Sequence, residues 1–161
     1  MKTLYVLRHG QAAPEAASES DHERELTQRG RAEVRRTAQH LRQRPSLPSL
    51  VLTSGATRAR QTAELCQSVL PDAPLAIADE LYLAEPASYL AELATSAEPH
   101  AAVVVVGHNP GLEALIYVLT RRSEHLATAS LVEIALQIAS WAELSHRGMT
   151  TRGRITDVFR P

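Results

Sequence analysis

The sequence predicts an α/β fold, a three-layer α/β/α sandwich on a mostly parallel central sheet with one antiparallel edge strand. Short apolar segments alternate along the chain with segments of helical periodicity, which is the pattern of a sheet covered by helices. Residues 102–106 read AVVVV, a β-branched run that is typical of a strand buried on both faces. Residues 132–138 instead alternate apolar with polar or small side chains, which indicates a half-exposed antiparallel strand. A length of 161 residues predicts one domain, covering residues 1–161.

Each predicted element rests on a local pattern. The apolar runs at 4–7 and 50–52 are short and end at polar residues, as buried strands do. Between them, apolar residues recur at helical spacing over 27–44. Asn109 and Pro110 predict a helix start, with Asn109 as the N-cap and Pro110 as the first helical residue. The predicted elements, in order, are a strand at 4–7, an acid-rich loop at 12–25, helices at 27–44 and 59–70 around a strand at 50–52, a helix from Pro86, a strand at 102–106, a helix from Pro110, and strands at 132–138 and 155–159.

The composition excludes several classes of function. Lys and Arg number 17 against 18 Asp and Glu, and this balance argues against a general nucleic-acid binder, which carries a basic excess. The single cysteine, Cys66, excludes an intrachain disulfide and a four-cysteine zinc site. No apolar run is long enough to cross a bilayer or to form the apolar core of a signal peptide. We therefore expect a soluble, cytoplasmic protein with no nucleic-acid or membrane partner.

Polar clusters follow three of the predicted strands. Arg8, His9 and Gly10 come directly after the strand at 4–7, His108 follows the strand at 102–106, and Arg58 follows the strand at 50–52. The carboxyl ends of parallel strands meet at one edge of a sheet, and ligands bind at that edge. The sequence therefore predicts a site that combines two arginines with two histidines.

This combination of residue types suits phosphoryl transfer. The forked guanidinium group of arginine matches phosphoryl oxygens, so Arg8 and Arg58 together could neutralise a dianionic phosphoryl group without a metal or another cofactor. A neutral imidazole can attack phosphorus and form a covalent intermediate. The second imidazole, when protonated, can donate to the oxygens that gain charge in the transition state. We therefore expect phosphoryl transfer through a phosphohistidine.

The order of these clusters resembles the histidine phosphatase superfamily over about residues 2–112, and the loop before the first helix resembles the short bacterial phosphohistidine phosphatases of the SixA type. The matching motifs are Arg8-His9-Gly10, Ser54…Arg58 with Gln61-Thr62-Ala63, Val106-Gly107-His108-Asn109-Pro110-Gly111, and Asp21…Arg24…Leu26-Thr27…Gly30. The resemblance implies a phosphoglycerate mutase-like fold. It also implies that His9 is the nucleophile and that Arg8, Arg58 and His108 complete the phosphate pocket, with Gly10 allowing close backbone approach.

One departure from the family pattern bears on the substrate. The phosphoglycerate mutase branch has a carboxylic acid in a Leu-x-Glu pattern after the second arginine, and here Leu83 stands where that Glu would fall. Hydrolysis of an alkyl ester needs a proton donor for the alkoxide, whereas a phosphohistidine releases an imidazole and needs less help. We therefore expect the substrate to be a phosphohistidine on a protein, such as a phosphorelay or phosphotransfer domain in signal transduction, and the product to be inorganic phosphate. Glu15, Glu80 and Glu85 are the remaining candidate proton donors.

Two alternative functions stay open at the level of sequence. The protein could hydrolyse small phosphate esters such as sugar or nucleotide phosphates, or it could be a non-catalytic phosphate- or phosphoprotein-binding module. The pair of histidines argues against the binding module. Outside the site, Tyr82 is interpreted as a packing residue. Five further histidines are interpreted as surface residues without clustered partners, namely His22, His40, His100, His125 and His146.

Overall fold

A computed structural model describes residues 1–17, 20–145 and 153–161, and it contains six strands and four α-helices in these residues. His146, Ser18 and Glu19 lie outside the described residues. The strands are β1 (Lys2–Arg8), β2 (Leu50–Thr53), β3 (Leu75–Ile77), β4 (Ala102–Gly107), β5 (Leu131–Leu136) and β6 (Gly153–Phe159). The helices are α1 (Gln28–Arg42), α2 (Thr57–Gln67), α3 (Pro86–Ser96) and α4 (Gly111–Thr120). Short 3-10 helices lie at Glu15–Ala17, Asp21–Glu23, Asp79–Leu81 and Trp141–Ser145.

The predicted α/β fold is confirmed. The strand order is β3-β2-β4-β1-β5-β6, in which β1, β2, β3 and β4 are parallel neighbours, while β5 runs antiparallel to β1 and β6 antiparallel to β5. The strand predicted at 132–138 is β5, which runs antiparallel to β1 but is not half-exposed, because four of its six residues are buried and none is exposed. The strand predicted at 155–159 is β6, and it is the antiparallel edge strand. No helix among the described residues is long and apolar enough to cross a membrane.

Two apolar cores separate the sheet from its two layers of helices. Side chains of α3 and α4 pack on one face of the sheet, and side chains of α1 and α2 pack on the other. Alternate residues of β4 serve the two cores, because successive side chains of a strand point to opposite faces. This explains why the β4 sequence is apolar without alternation.

The helix boundaries differ from the prediction by at most three residues, and the largest difference is at the end of α2, which stops at Gln67. Helix α1 begins after Thr27, whose side chain caps it by accepting from the Gly30 N–H, and it ends at Arg42. The N-cap of α4 is Pro110, not Asn109. The Asn109 side chain instead donates to Glu113 at 2.9 Å and to a loop carbonyl at 2.8 Å, so it is committed to the loop beside the helix.

The parallel register brings the ends of three strands together. Arg8 at the end of β1 lies opposite Gly107 at the end of β4, and Thr53 at the end of β2 lies opposite Val106. The residues that follow these three strands therefore lie side by side at one edge of the sheet, where the sequence predicts the site.

Candidate active site

A pocket of about 430 Å³ opens at this edge of the sheet. It contains the four charged or titratable side chains that the sequence singled out, Arg8, His9, Arg58 and His108. The ring centroids of the two histidines are 5.2 Å apart. The other lining residues are Gln11, Ala12, Asp21, Arg24, Leu83, Asn109 and Thr128.

His9 is held in one tautomer. Its Nδ1 lies 2.7 Å from the carbonyl oxygen of Gly10, which can only accept, so Nδ1 carries the proton. Its Nε2 is then the unprotonated nitrogen, and it accepts a hydrogen bond of 3.3 Å from Nε of Arg58. The lone pair that a nucleophile needs is therefore on Nε2, beside a guanidinium group.

The protein keeps His9 neutral. Burial lowers the pKa of His9 from 6.5 to about 4, and the positive charges of Arg58 and Arg8 act in the same direction. The hydrogen bond to the Gly10 carbonyl opposes this shift but does not cancel it. At pH 7 the imidazole is therefore free to attack an electrophile.

His108 is also neutral at pH 7. Burial, together with the neighbouring His9 and Arg58, lowers its pKa from 6.5 to about 3. Its Nε2 shares a hydrogen bond of 2.6 Å with the hydroxyl of Ser54, which belongs to the motif after β2. The expectation that one imidazole is protonated in the transition state stays a prediction. A neutral His108 still carries one ring N–H.

Arg58 is positioned by the loop before α1. Its side chain is buried, with a residue exposure of 3%. Its Nη1 donates to the backbone oxygen of Asp21 at 2.7 Å, and its Nη2 donates to the Asp21 carboxylate at 3.1 Å. With Nε directed at His9, the guanidinium plane is fixed on two sides.

Asp21 is the main functional residue that sequence reasoning missed. Its carboxylate accepts hydrogen bonds from Tyr82, Arg24 and Arg58, and these contacts hold the pKa of Asp21 well below its usual range. Asp21 is therefore an ionised positioning group and not a proton donor. Tyr82, predicted as a packing residue, also has a polar role, because its hydroxyl donates to Asp21. Asp21 and Arg24 belong to the motif before α1 that resembles the SixA type, but nothing in their spacing indicates that the Asp21 carboxylate contacts Arg58.

Gly10 has a different role from the predicted backbone approach to phosphate. Its N–H donates to the Thr62 hydroxyl at 3.1 Å, and Thr62 in turn donates to the backbone oxygen of Arg58. A Cβ on Gly10 would come 2.7 Å from a methyl group of Val34 and 3.0 Å from the backbone oxygen of Gly30. The glycine is therefore required by the close packing of α1 against this loop.

The three candidate proton donors do not reach the pocket. Glu15, Glu80 and Glu85 are exposed, and none of them lines it. Asp21 is the carboxylate among the lining residues, and it is ionised. Among the described residues, no group of three or more His, Cys, Asp or Glu side chains is arranged to hold a metal ion.

Some histidines interpreted as surface residues have specific partners. His40 stacks on Phe159 with ring centroids 4.3 Å apart and contacts the Asp157 carboxylate at 2.6 Å, so it ties α1 to β6. His100 shares a hydrogen bond of 2.8 Å with Ser49. The remaining two described members of that set are exposed and also make contacts, His22 with the Tyr82 ring and His125 with Glu113.

Comparisons with known proteins agree with this arrangement. The family model of the histidine phosphatase superfamily (branch 1) matches residues 4–82. An uncharacterized protein of Picosynechococcus is 35% identical over 135 residues, which cover 80% of this chain and 82% of that protein. The chain belongs to the histidine phosphatase superfamily.

Within that superfamily, the chain is similar in structure to SixA proteins. The crystal structure of a protein assigned as the phosphohistidine phosphatase SixA of Agrobacterium tumefaciens matches with a TM-score of 0.82 and 28% identity, covering 99% of this chain and 98% of that one. A protein with the same assignment from Nakamurella multipartitia matches with a TM-score of 0.82 and 27% identity, covering 99% and 96%. Phosphatase activity is the class of chemistry that the fold and these relatives support.

Proposed function

We propose that this protein is a metal-independent phosphatase that removes the phosphoryl group from a phosphohistidine on a protein, through a covalent intermediate on His9. The observation that carries the proposal is the Nε2 lone pair of His9, held beside Arg58 in an open pocket. The assignment of the two SixA relatives supports the same substrate class.

In the first step, Nε2 of His9 attacks the phosphorus atom and forms a new P–N bond. The P–N bond of the substrate breaks, and the substrate imidazole, protonated on its other nitrogen, leaves as a neutral ring. The proton on Nδ1 of His9 stays hydrogen-bonded to the Gly10 carbonyl, which favours the positive charge that the ring acquires. Arg58 and Arg8 offer their guanidinium N–H groups to the phosphoryl oxygens, as charge-assisted hydrogen bonds.

In the second step, water attacks the phosphorus atom of phosphorylated His9. The P–N bond breaks, the electron pair returns to Nε2, and inorganic phosphate leaves with the oxygen and both protons of the water molecule. His108 lies on the same side of the pocket, with its ring 5.2 Å from His9, and donates its ring N–H to a phosphoryl oxygen as charge builds up. Each good donor of this kind contributes about 2.7–4 kcal/mol in enzymes that stabilise an oxyanion.

Among the described residues, no protonated carboxylic acid lines the pocket, and this favours an imidazole leaving group. Glu15, Glu80 and Glu85 do not line the pocket, and ionised Asp21 has no proton to give. An alkoxide leaving group needs such a proton in the transition state. An imidazole that arrives already protonated does not, so the site is better suited to a phosphohistidine than to a sugar or nucleotide ester.

Trapping of the phosphoenzyme tests the nucleophile. The protein is mixed with a labelled phosphoramidate and quenched in alkali, which preserves phosphohistidine. We expect label on the wild-type chain and none on His9→Ala. His100→Gln is the matched control, because His100 lies near the amino end of β2, away from the pocket, and its variant should be labelled like the wild type. Label on His9→Ala would show that the nucleophile assignment is wrong.

A substrate panel tests the leaving group. The kcat/KM values are compared for a phosphohistidine protein, phosphoramidate and a set of sugar and nucleotide phosphates. We expect the two P–N substrates to be hydrolysed faster than every ester. A preference for an ester would contradict the proposed substrate class, and phosphate binding without turnover of any substrate would point to a binding module.

A further inference from the structure

Leu83 combines an exposed apolar side chain with a strained backbone conformation. It is 58% exposed, and its backbone φ of 48° lies in the left-handed region that residues with a Cβ rarely adopt. It also lines the phosphate pocket. A residue that is both strained and exposed beside a site is a candidate for a role in that site.

The neighbours of Leu83 fix this conformation. Leu81 is completely buried in the core, and the Tyr82 hydroxyl is bonded to Asp21. On the other side, the backbone oxygen of Ala84 packs so closely on Gly111 that a Cβ there would overlap it. The chain is thus anchored on both sides of residue 83, and the Leu83 side chain is presented at the pocket in a defined place.

The rest of the pocket wall is polar. In the described part of the chain, Ala12 is the one apolar lining residue besides Leu83, and the other lining side chains are Arg, His, Asp, Gln, Asn or Thr. These polar groups suit the phosphoryl oxygens. The carbon atoms of an imidazole ring gain from contact with an apolar side chain, because such contact stabilises in proportion to the apolar area removed from water.

We propose that Leu83 is a specificity-determining residue that packs against the imidazole ring of the leaving group. This inference rests on the proposed function and adds the part of the site that recognises the ring. A phosphohistidine gains this contact, whereas a hydroxyl-rich sugar would place polar groups against an isobutyl group. The leaving group of phosphoramidate is ammonia, which has no ring and cannot make the contact.

Two substrates with the same phosphoryl group isolate the contact. We measure kcat/KM on a phosphohistidine peptide and on phosphoramidate for the wild type and for Leu83→Gly. Glycine adopts the observed φ without strain, so this variant is expected to fold, and its thermal midpoint is measured as a check. We expect about a tenfold loss on the peptide and a change within about twofold on phosphoramidate, since a missing apolar contact of this size changes specificity by at least that factor.

Two further variants control the experiment. Leu83→Met keeps an apolar side chain and should keep the wild-type ratio of the two kcat/KM values. Ile77→Ala removes a similarly exposed apolar side chain that does not line the pocket, and it should also leave the ratio unchanged. An unchanged ratio in Leu83→Gly overturns the inference, whether both activities fall together or neither falls. Failure of the wild type to hydrolyse either substrate would instead refute the proposed function itself.

Discussion

His9 should stay neutral far below the pH at which an ordinary histidine gains a proton. Its residue exposure is 8%, and burial lowers its pKa from 6.5 to about 4, with Arg58 and Arg8 adding to the effect. At pH 5.5 a group with this pKa is about 97% neutral, whereas one with the ordinary pKa is about 9% neutral. His9, the proposed nucleophile, should therefore remain able to attack phosphorus in mildly acidic solution.

An NMR titration of the phosphate-free protein measures this pKa directly. The His9 ring signals are assigned by their loss in His9→Gln, and the same chain in denaturant supplies the ordinary midpoint. We expect a His9 midpoint near pH 4 in the folded protein. A midpoint at or above pH 6 would refute the reasoning, because it would mean that burial and the two arginines do not control the imidazole.

The lowered pKa also has a consequence for stability. Between pH 6.5 and pH 4 the unfolded chain binds a proton at this position and the folded chain does not, so the free energy of unfolding falls as the pH falls through this window. The full effect of a shift of this size is about 3 kcal/mol, and His108 contributes in the same direction. Denaturant unfolding at pH 7 and pH 5 should show a smaller pH dependence in His9→Gln than in the wild type. Equal dependence in the two proteins would contradict the assignment.

Three substitutions probe the groups around the nucleophile. Asp21→Asn removes the charge that holds Arg58, so kcat/KM for phosphoramidate should fall about tenfold or more. This is the loss expected for a charge-assisted hydrogen bond of roughly 1.5–3 kcal/mol. Unchanged kinetics would show that Asp21 does not position Arg58. Ser54→Ala leaves Nε2 of His108 without its hydrogen-bond partner, and the free energy of unfolding should fall by about 1–3 kcal/mol in denaturant titration. An unchanged free energy of unfolding would show that the Ser54 hydroxyl does not stabilise the fold. Gly30→Ala places a Cβ against the backbone oxygen of Gln11, so the free energy of unfolding should fall by about 1–3 kcal/mol. An equally stable variant would show that the loop at Gln11 shifts to accommodate the methyl group.

The predicted core of the site rests on the topology of parallel sheets. Arg8 ends β1, His9 and His108 directly follow β1 and β4, and Arg58 lies in the first turn of the helix after β2. Once the alternation of strands and helices is recognised, the meeting of these residues follows from the parallel register. Their positions could therefore be predicted from a single sequence, although their tautomers and pKa values could not.

Asp21 could not be predicted because its role depends on contacts between residues far apart in the chain. It comes from an irregular loop, and its partners Arg58 and Tyr82 are 37 and 61 positions away. A loop without periodicity gives no indication of its path. The sequence does not predict the short strand β3 for a similar reason. None of its three residues is buried, so they show no strand pattern of their own, and they form a strand by pairing with β2.

The net charge of the pocket differs from the net charge of the chain. This difference distinguishes recognition of the phosphoryl group from recognition of the molecule that carries it. Of the residues that the structure describes, three arginines and one aspartate line the pocket, and with both histidines neutral they leave two net positive charges, whereas the whole chain has a formal net charge of −1. A phosphoryl group carries about two negative charges near pH 7, so the pocket is matched to it. Exposed charges are screened over about 8–10 Å at ordinary salt, and this attraction therefore acts only once the phosphoryl group is at the pocket. The pocket charge thus favours binding of the phosphoryl group. Short-range contacts, such as the one proposed for Leu83, then distinguish between the molecules to which the phosphoryl group is attached.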